Sequence, residues 1–419
     1  MKKRKGKLEK GLLTRREFIK KSTLVGAGLA ATGSLFDGTP PAFAQKKEGI
    51  VRVWGEPGPY AAVAVDGMNE WAAKNAPKLK FELEIMSWDI VYMKLMTDLS
   101  AGRPANCISV ESPIAFQLMA EGLLEPVDDL ILRIGPKRLI PGAEWWYWGA
   151  WKGRQYVIPA HHQSHLLVVR MDIIKDLGLS NPDTWDWNDL LNAAKTIKEK
   201  KKKMSGITLA LGRNLCTEYH FASFLYSAGG RMFDVKNNFQ VVFDSPATIE
   251  ALEYLAELSQ YMPKGAVGYS FLDCVDSMVT GETAMTYYWG RVFGRAAEEA
   301  PEIFKNIEAF LQPRHPKTGL RTNWNDFQGW LIPKQNNPYI KEVKEALVHY
   351  QTGTKWLIRY VHSLVPNVSP VYKDVVEDRS LYQHPFFNSL NIFCCSYFWQ
   401  LKCSLITVIA YYFNLATFN

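Results

Sequence analysis

Short apolar segments of strand length alternate with longer amphipathic segments of helix length along most of the chain. The first three predicted strands are Ile50 to Trp54, Phe81 to Met86 and Cys107 to Val110. Tyr60 to Asn75 and Trp88 to Ser100 lie between them and carry apolar residues at helical spacing. This rhythm predicts an α/β fold with mostly parallel sheets, which bind ligands in the loops at the carboxyl ends of their strands.

The same rhythm continues later in the chain. Val157 to Pro159 and Leu166 to Arg170 are predicted strands, and Trp187 to Lys203 and Pro246 to Tyr261 are predicted helices. No segment repeats with a period of about 20 to 50 residues, which excludes solenoids and propellers. A chain of 419 residues is long enough for two or three domains of roughly 150 residues each.

The net charge of +7 belongs to the N-terminal segment. Residues 1–44 contain ten Lys or Arg and three Asp or Glu, whereas residues 45–419 contain 39 of each sign. Because the positive excess does not lie on a folded surface, it does not indicate nucleic-acid binding.

That N-terminal segment contains the parts of an export signal in the expected order. Thr14-Arg15-Arg16-Glu17-Phe18-Ile19-Lys20 follows a basic stretch, and Ser22 to Leu35 is uncharged and too short to span a bilayer as a helix. Ala42-Phe43-Ala44 is a cleavage motif. The paired arginines resemble a twin-arginine signal read by the Tat translocon, and an ordinary secretory signal is the alternative. We expect a periplasmic protein that is cleaved after Ala44.

Cysteine and histidine spacing does not favour a metal or cofactor site. The six cysteines form no C-x-x-C or Cys/His zinc pattern. His161, His162 and His165 lie within five residues, but side chains alternate along a strand, so His162 would face away from the other two. We therefore expect no metal ion and no cofactor.

Residues 388–419 differ in composition from the rest of the chain. They contain one charged side chain, Lys402, and three of the six cysteines. A membrane anchor is one interpretation, but Gln400, Lys402 and Ser404 interrupt the apolar run. We interpret the segment as an aberrant hydrophobic tail, truncated or frameshifted, and expect the C-terminal lobe to be incomplete.

Several short motifs occur in a fixed order between residues 50 and 387. They are Met86-Ser87-Trp88-Asp89, Lys94 to Gly102, Glu121-Gly122-Leu123-Leu124-Glu125-Pro126, Trp185 to Ala194, Phe224 to Gly230, Gly281-Glu282-Thr283-Ala284-Met285-Thr286, Gly329 to Lys334, and Val365-Pro366. Each motif alone is generic. Their order and spacing together resemble the family 1 extracellular solute-binding proteins of ABC importers, the maltose-binding-protein type.

The resemblance implies a two-lobed periplasmic-binding-protein type II fold, in which each lobe is a mostly parallel sheet flanked by helices. It assigns residues 45–158 and 288–330 to the N-terminal lobe, and residues 159–287 and 331–387 to the C-terminal lobe. The chain is expected to cross between lobes near 157–162, 286–289 and 331–335. A ligand is held in the cleft while the lobes close by a hinge motion.

The resemblance also implies the cleft residues. Matching the motifs residue by residue gives the following set: Glu56, Tyr60, Glu111, Ser112, His162, Gln163, Glu218, Tyr219, Trp289 and Arg291. Carboxylates and amides hydrogen-bond sugar hydroxyls while aromatic rings cover the C–H faces, so this set suits a neutral carbohydrate. The implied partners are the carbohydrate and the permease subunits of the importer.

Two alternatives remain open at this stage. Arg291 could bind the carboxylate or phosphate of an acidic ligand, such as a uronate or a phosphorylated polyol. Scattered carboxylates could also form the catalytic pair of a secreted glycoside hydrolase, because such pairs have no fixed sequence spacing. No nucleophile elbow, phosphate-binding loop or H-E-x-x-H motif occurs, so we expect a binding protein rather than an enzyme.

Overall fold

The structure is a computed structural model that describes residues 49–55, 59–86, 88–140, 149–234, 237 and 240–384. The side chains of residues 88–90, 112, 289 and 325 are outside this description. The predicted export signal and the predicted tail both lie outside the described residues. Within them, no helix is both long enough and apolar enough to cross a membrane.

The described part of the chain contains 13 strands and 14 α-helices. The strands are β1 Ile50–Gly55, β2 Lys80–Ile85, β3 Cys107–Glu111, β4 Ala150–Trp151, β5 Arg154–Gln155, β6 Ile158–Ser164, β7 Leu167–Arg170, β8 Phe233–Asp234, β9 Gln240–Val241, β10 Met285–Tyr287, β11 Ile307–Phe310, β12 Asn325–Leu331 and β13 Ser369–Pro370. The helices are α1 Pro59–Asn75, α2 Trp88–Ser100, α3 Ser112–Ala120, α4 Asp128–Ile134, α5 Met171–Asp176, α6 Trp187–Lys200, α7 Leu215–Ser227, α8 Pro246–Ser259, α9 Phe271–Val279, α10 Trp289–Glu299, α11 Pro301–Phe304, α12 Ile340–Thr352, α13 Thr354–His362 and α14 Lys373–Glu377.

The largest sheet has six strands in the order β13-β6-β12-β3-β1-β2. Strands β1, β2 and β3 are parallel, as their βα connections require. Strand β12 is antiparallel to both of its neighbours, β3 and β6. The sheet is therefore mixed, and the prediction of a mostly parallel sheet was wrong. The reason is that the chain leaves this sheet along β6 and comes back along β12, so the two strands must run in opposite directions.

A separate sheet has the order β10-β7-β11, and both pairings are antiparallel. Trp185, Trp187 and Phe224 belong to the apolar core on one side of it. Residues 165–324 build this sheet and its helices, and we call them the second lobe. Residues 49–164 and 325–384, built around the six-stranded sheet, are called the first lobe.

These strand pairings correct the predicted lobe boundaries at three places. Strand β6 stays in the first sheet to Ser164, so the first crossing lies after it rather than at 157–162. No crossing occurs at 286–289, because β11 pairs with β7 in the second sheet. No crossing occurs at 331–335 either, because α12 and α13 pack against α1 in the core of the first lobe. Strand pairing between distant segments decides these boundaries, and local periodicity does not encode it.

The lobes also touch at the start of α10. A Cβ atom added to Gly290 of the second lobe would lie 2.3 Å from Cα of Asn367 and 2.8 Å from the carbonyl oxygen of Pro366, both in the first lobe. Only a residue without a side chain fits at this distance. Gly290 therefore permits a backbone-to-backbone approach of the two lobes.

Candidate functional site

Polar side chains cross the six-stranded sheet at the end that faces the second lobe. Gln328 of β12 pairs with Glu111 of β3 on one side and with His161 of β6 on the other. Asp326 pairs with Gln163 in the same ladder. Because paired residues share a face of a sheet and residues two apart return to it, all five side chains belong to one face.

Glu111 is the point at which the two lobes are joined by a hydrogen bond. The hydroxyl of Tyr219, on α7 of the second lobe, donates to Oε2 of Glu111 at 2.8 Å. The carboxyl groups of Glu111 and Asp326 also interact electrostatically, and Asp326 is only 2% exposed. We call Glu111, Tyr219, Arg291, Asp326 and Gln328 the junction cluster.

Burial is the largest influence on the pKa of Glu111. It raises the pKa of this carboxyl to about 7, against the opposing effects of the hydrogen bond from Tyr219, the charge of Arg291 and the neighbouring Gln328 and Asp326 side chains. Neighbouring carboxyl groups in a buried site cannot both ionise at low cost. The Glu111 carboxyl is therefore a protonated hydrogen-bond donor below about pH 7.

Arg291 lies in the first turns of α10 and balances the charge of the carboxyl pair. Its guanidinium carbon is 5.6 Å from the centre of the Phe271 ring, and its charge acts on both Glu111 and Tyr288. The buried Nε atom has no hydrogen-bond partner among the described residues. One N–H donor is thus held ready inside the cluster. The helix begins at Trp289, whose side chain is outside the description.

Tyr60 and Gln163 extend the polar region toward α1 and α13. The Tyr60 ring lies 5.9 Å from His161 and 5.3 Å from Tyr360, both edge-on. His161 Nδ1 and the Tyr360 hydroxyl are 2.7 Å apart, and the Gln163 amide nitrogen is 3.5 Å from His161 Nε2. The Tyr60 hydroxyl is buried without a partner in the described chain. Like Nε of Arg291, it is a buried polar atom that has no hydrogen-bond partner among the described residues.

The three closely spaced histidines do not converge on one point. His161 contacts Tyr60 and Tyr360, whereas His162 faces Phe327 with ring centres 5.7 Å apart. Burial lowers the pKa of His161 to about 3 and that of His162 to about 4. Both imidazoles are therefore neutral at physiological pH. Nowhere in the described ranges do three or more His, Cys, Asp or Glu side chains form a group that could hold a metal ion.

His165 and Trp324 complete the aromatic side of the site. Tyr219 stacks on Trp324 with ring centres 4.6 Å apart and an angle of 11°. His165 meets Tyr219 edge-on at 5.5 Å and Tyr288 at 5.0 Å. The His165 backbone N–H donates to the Trp324 carbonyl at 2.9 Å. This bond ties together the two segments that pass between the lobes.

The remaining predicted residues do not belong to the junction cluster. Glu218 is exposed beside Tyr219 on α7, Ser112 begins α3 with an undescribed side chain, and Glu56 lies outside the described residues. The structure brings Glu111, Tyr219 and Arg291 into one cluster, with Tyr60 and Gln163 beside it. His162 lies on the opposite face of the same sheet.

Asp326, Gln328, His165 and Trp324 take part in the site without having been predicted. Three of them lie at or near the start of β12, after a loop without periodicity. The signal that could have found them is the run Asn323-Trp324-Asn325-Asp326, mostly polar, which leads into the start of β12. Such a run at a strand end marks a segment exposed to a cleft.

Comparisons with known proteins agree with this architecture. Maltose-bound MalE3 of T. maritima superposes with a TM-score of 0.69 at 20% identity, covering 82% of this chain and 88% of that chain. A solute-binding protein of Thermotoga lettingae with bound alpha-D-tagatose gives 0.67 at 21% identity, covering 81% and 86%. A ribitol complex from Agrobacterium radiobacter gives 0.69 at 18% identity, covering 83% and 86%. These likenesses confirm the α/β two-lobed fold.

Sequence relatives match a smaller part of the chain. A candidate binding protein of Brucella abortus is 22% identical over 247 residues, and the chain spans 58% of that protein's length. Residues 56–335, about two thirds of the chain, match the family described as bacterial extracellular solute-binding protein. The chain therefore belongs to the bacterial extracellular solute-binding protein family.

Proposed function

We propose that the chain is the substrate-binding component of an ABC importer, and that it binds a carbohydrate between its lobes and delivers it to a membrane permease. The observation that carries this proposal is the junction cluster, where buried polar groups of both lobes meet. Donors such as Arg291 Nε and acceptors such as the Glu111–Asp326 pair lie within one site. A polyhydroxylated ligand can satisfy both kinds of group, because each hydroxyl donates and accepts.

The charge balance of the cluster favours a neutral ligand over an acidic one. Arg291 is the cation that could bind an anionic ligand, but its charge already acts on Glu111. Adding a ligand carboxylate or phosphate beside Glu111 and Asp326 would place like charges together in a buried site. We therefore rank uronates and phosphorylated polyols below neutral sugars and polyols.

The same carboxyl pair disfavours the hydrolase alternative. Glycoside hydrolases separate their two carboxyl groups by about 5 Å or more to flank the scissile bond. Glu111 and Asp326 act on each other as neighbouring carboxyl groups, whereas a catalytic pair flanks the bond between its two members. This arrangement favours binding over hydrolysis.

The proposal also includes export of the chain from the cytoplasm. The twin-arginine motif before Ser22 is proposed to direct the chain through the Tat translocon, with cleavage after Ala44 and a periplasmic location. The family supports this, since its members are described as extracellular. The segment 388–419 is proposed to be an aberrant tail read out of frame. Reading the gene in its other two frames beyond residue 387 tests that point, because a charged helical continuation is expected there.

Thermal unfolding with a ligand panel tests the binding proposal. Maltose, tagatose, mannitol and ribitol represent neutral ligands, and glucuronate and a sugar phosphate represent acidic ones. A bound ligand stabilises the folded state by about 2.7 kcal/mol at a hundred times its dissociation constant, so at least one neutral compound should raise the melting temperature by several degrees. Acidic compounds should raise it less.

Two tyrosine variants provide the matched pair for this experiment. Tyr219→Phe removes the hydroxyl that joins the lobes, and the ligand-induced rise should shrink. Tyr254→Phe removes a hydroxyl that donates to the Trp187 carbonyl at 2.7 Å within the second lobe, and the rise should persist. Hydrolysis of any oligosaccharide by the pure protein, or stabilisation by acidic compounds alone, would refute the proposal.

A further inference from the structure

Two of the described cysteines lie close together in the second lobe. Cys216 in the first turn of α7 and Cys274 on α9 form, with Ala210, one small cluster of buried residues. Phe271, the first residue of α9, packs against this cluster, and its backbone acts on the Cys216 thiol. Cys274 lies three positions after Phe271 and is therefore its neighbour on the helix surface. The two thiols are near enough to act on each other electrostatically.

Cys216 also borders the junction cluster. The charges of Glu111 and Asp326, both in the first lobe, act on its thiol, and Tyr219 follows about one turn later on α7. Cys216 is 8% exposed, whereas Cys274 is completely buried. The Cys216 thiol is therefore the more accessible of the two.

Cys107 has no comparable neighbour. It lies on β3 in the core of the first lobe, and it is completely buried. Among the described residues, no other cysteine acts on its thiol. Cys107 therefore serves as the internal control for any chemistry at the pair.

We propose that Cys216 and Cys274 form a disulfide bond in the exported protein, and that this bond fastens the start of α7 to α9. The place of oxidation rests on the proposed export, because disulfides persist outside the cytoplasm and are reduced within it. The bond closes a long loop of the chain and so reduces the conformational entropy of the unfolded state. It also holds the turn of α7 that precedes Tyr219, whose hydroxyl joins the lobes at Glu111.

The reaction is a thiol–disulfide exchange with a disulfide-bonded donor. The Cys216 thiolate attacks one sulfur of the donor and releases one donor thiol, and the Cys274 thiolate then attacks the Cys216 sulfur and releases the second. Two protein thiols are oxidised, one donor disulfide is reduced, and two protons pass to the donor thiols. Burial raises the pKa of the Cys216 thiol to about 12, so the exchange takes place in locally opened states where the thiolate can form.

Peptide mapping of the full chain tests the proposal. The reduced chain is incubated with oxidised glutathione until its content of free thiols is constant, the remaining thiols are alkylated, and the chain is digested with trypsin without reduction. Trypsin places the two cysteines in separate peptides, residues 214–231 and 265–291, each with one cysteine. We expect most of both peptides to be joined, with a mass lower than their sum by two hydrogen atoms.

Thermal unfolding of the oxidised and reduced chains measures the effect of the bond. Oxidation should raise the melting temperature by several degrees, because a disulfide that closes a long loop destabilises the unfolded state. Cys216→Ala and Cys274→Ala should each abolish the joined peptide and this rise. Cys107→Ala should keep both.

The outcomes decide this inference separately from the proposed function. Alkylation of both Cys216 and Cys274 after oxidation overturns it, as does pairing of either one with Cys107 or with a cysteine of residues 388–419. A joined peptide without a higher melting temperature overturns the fastening of α7 to α9. Should a variant not fold, the peptide map of the unaltered chain still decides. Because the map needs no ligand, failure to bind every sugar and polyol would refute the proposed function alone.

Discussion

Replacing Gly290 with alanine is expected to weaken ligand binding by about five- to 150-fold. The added methyl group would lie 2.3 Å from Cα of Asn367 and 2.8 Å from the carbonyl oxygen of Pro366, and backbone atoms cannot rotate away. Overpacking of this kind costs about 1–3 kcal/mol, which converts to that range of affinity. We expect this cost to fall on lobe closure, because Gly290 belongs to the second lobe and the 366–367 segment belongs to the first.

Gly294→Ala is the matched control for this variant. It makes the same change four residues later on the same helix, but its new methyl group would lie 3.5 Å from Cδ of Pro366, an ordinary contact distance. Titration calorimetry should therefore show near-normal affinity for Gly294→Ala. Equal, undiminished affinity in both variants would mean that binding does not need the lobes to meet at Gly290.

Replacing Glu111 with glutamine is expected to stabilise the free protein above neutral pH. Burial raises the pKa of Glu111 to about 7, so between about pH 4.5 and 7 the folded chain holds a proton that the unfolded chain releases. Stability contributed by this group is complete at low pH and is lost as the pH rises through that window. The full shift corresponds to about 3 kcal/mol, and we expect about 2 kcal/mol because the residue remains partly exposed.

Denaturant unfolding at pH 5 and pH 8 measures this effect. Glu111→Gln should match the unaltered chain at pH 5 and exceed it in free energy of unfolding at pH 8. Glu298→Gln, at an exposed position on α10, should behave like the unaltered chain at both pH values. A variant that is less stable than the unaltered chain at pH 8 would show that Glu111 is ionised and well paired in the fold.

The local sequence pattern was sufficient to predict the first strands and helices of the first lobe. The predicted strands at 50–54, 81–86 and 107–110 match β1, β2 and β3 within one residue at each end, because apolar runs bounded by Gly and Pro have a local physical cause. The helices at 60–75 and 88–100 match for the same reason. Family motifs then supplied the two-lobed architecture.

Contacts between residues that are distant in sequence could not be predicted from the sequence. Glu111 and Tyr219 were both predicted, but their hydrogen bond spans 108 residues and depends on how the lobes meet. The segment before β12 has no periodicity, so Trp324 and Asp326 were not found. Arg291 was predicted as a cleft residue, and an acidic ligand stayed open as an alternative because Glu111, on which its charge acts, is distant in sequence. Charge balance in a buried site can be judged only when every facing group is placed.

The central claim is that a ligand is held by both lobes at the junction cluster, and hydrogen–deuterium exchange with and without ligand tests it most directly. We predict that a ligand that raises the melting temperature protects residues 107–111 and 324–328 of the strands together with residues 216–220 of α7 and the start of α10. Protection confined to one lobe, or centred on the outer surface of α8, would contradict the account.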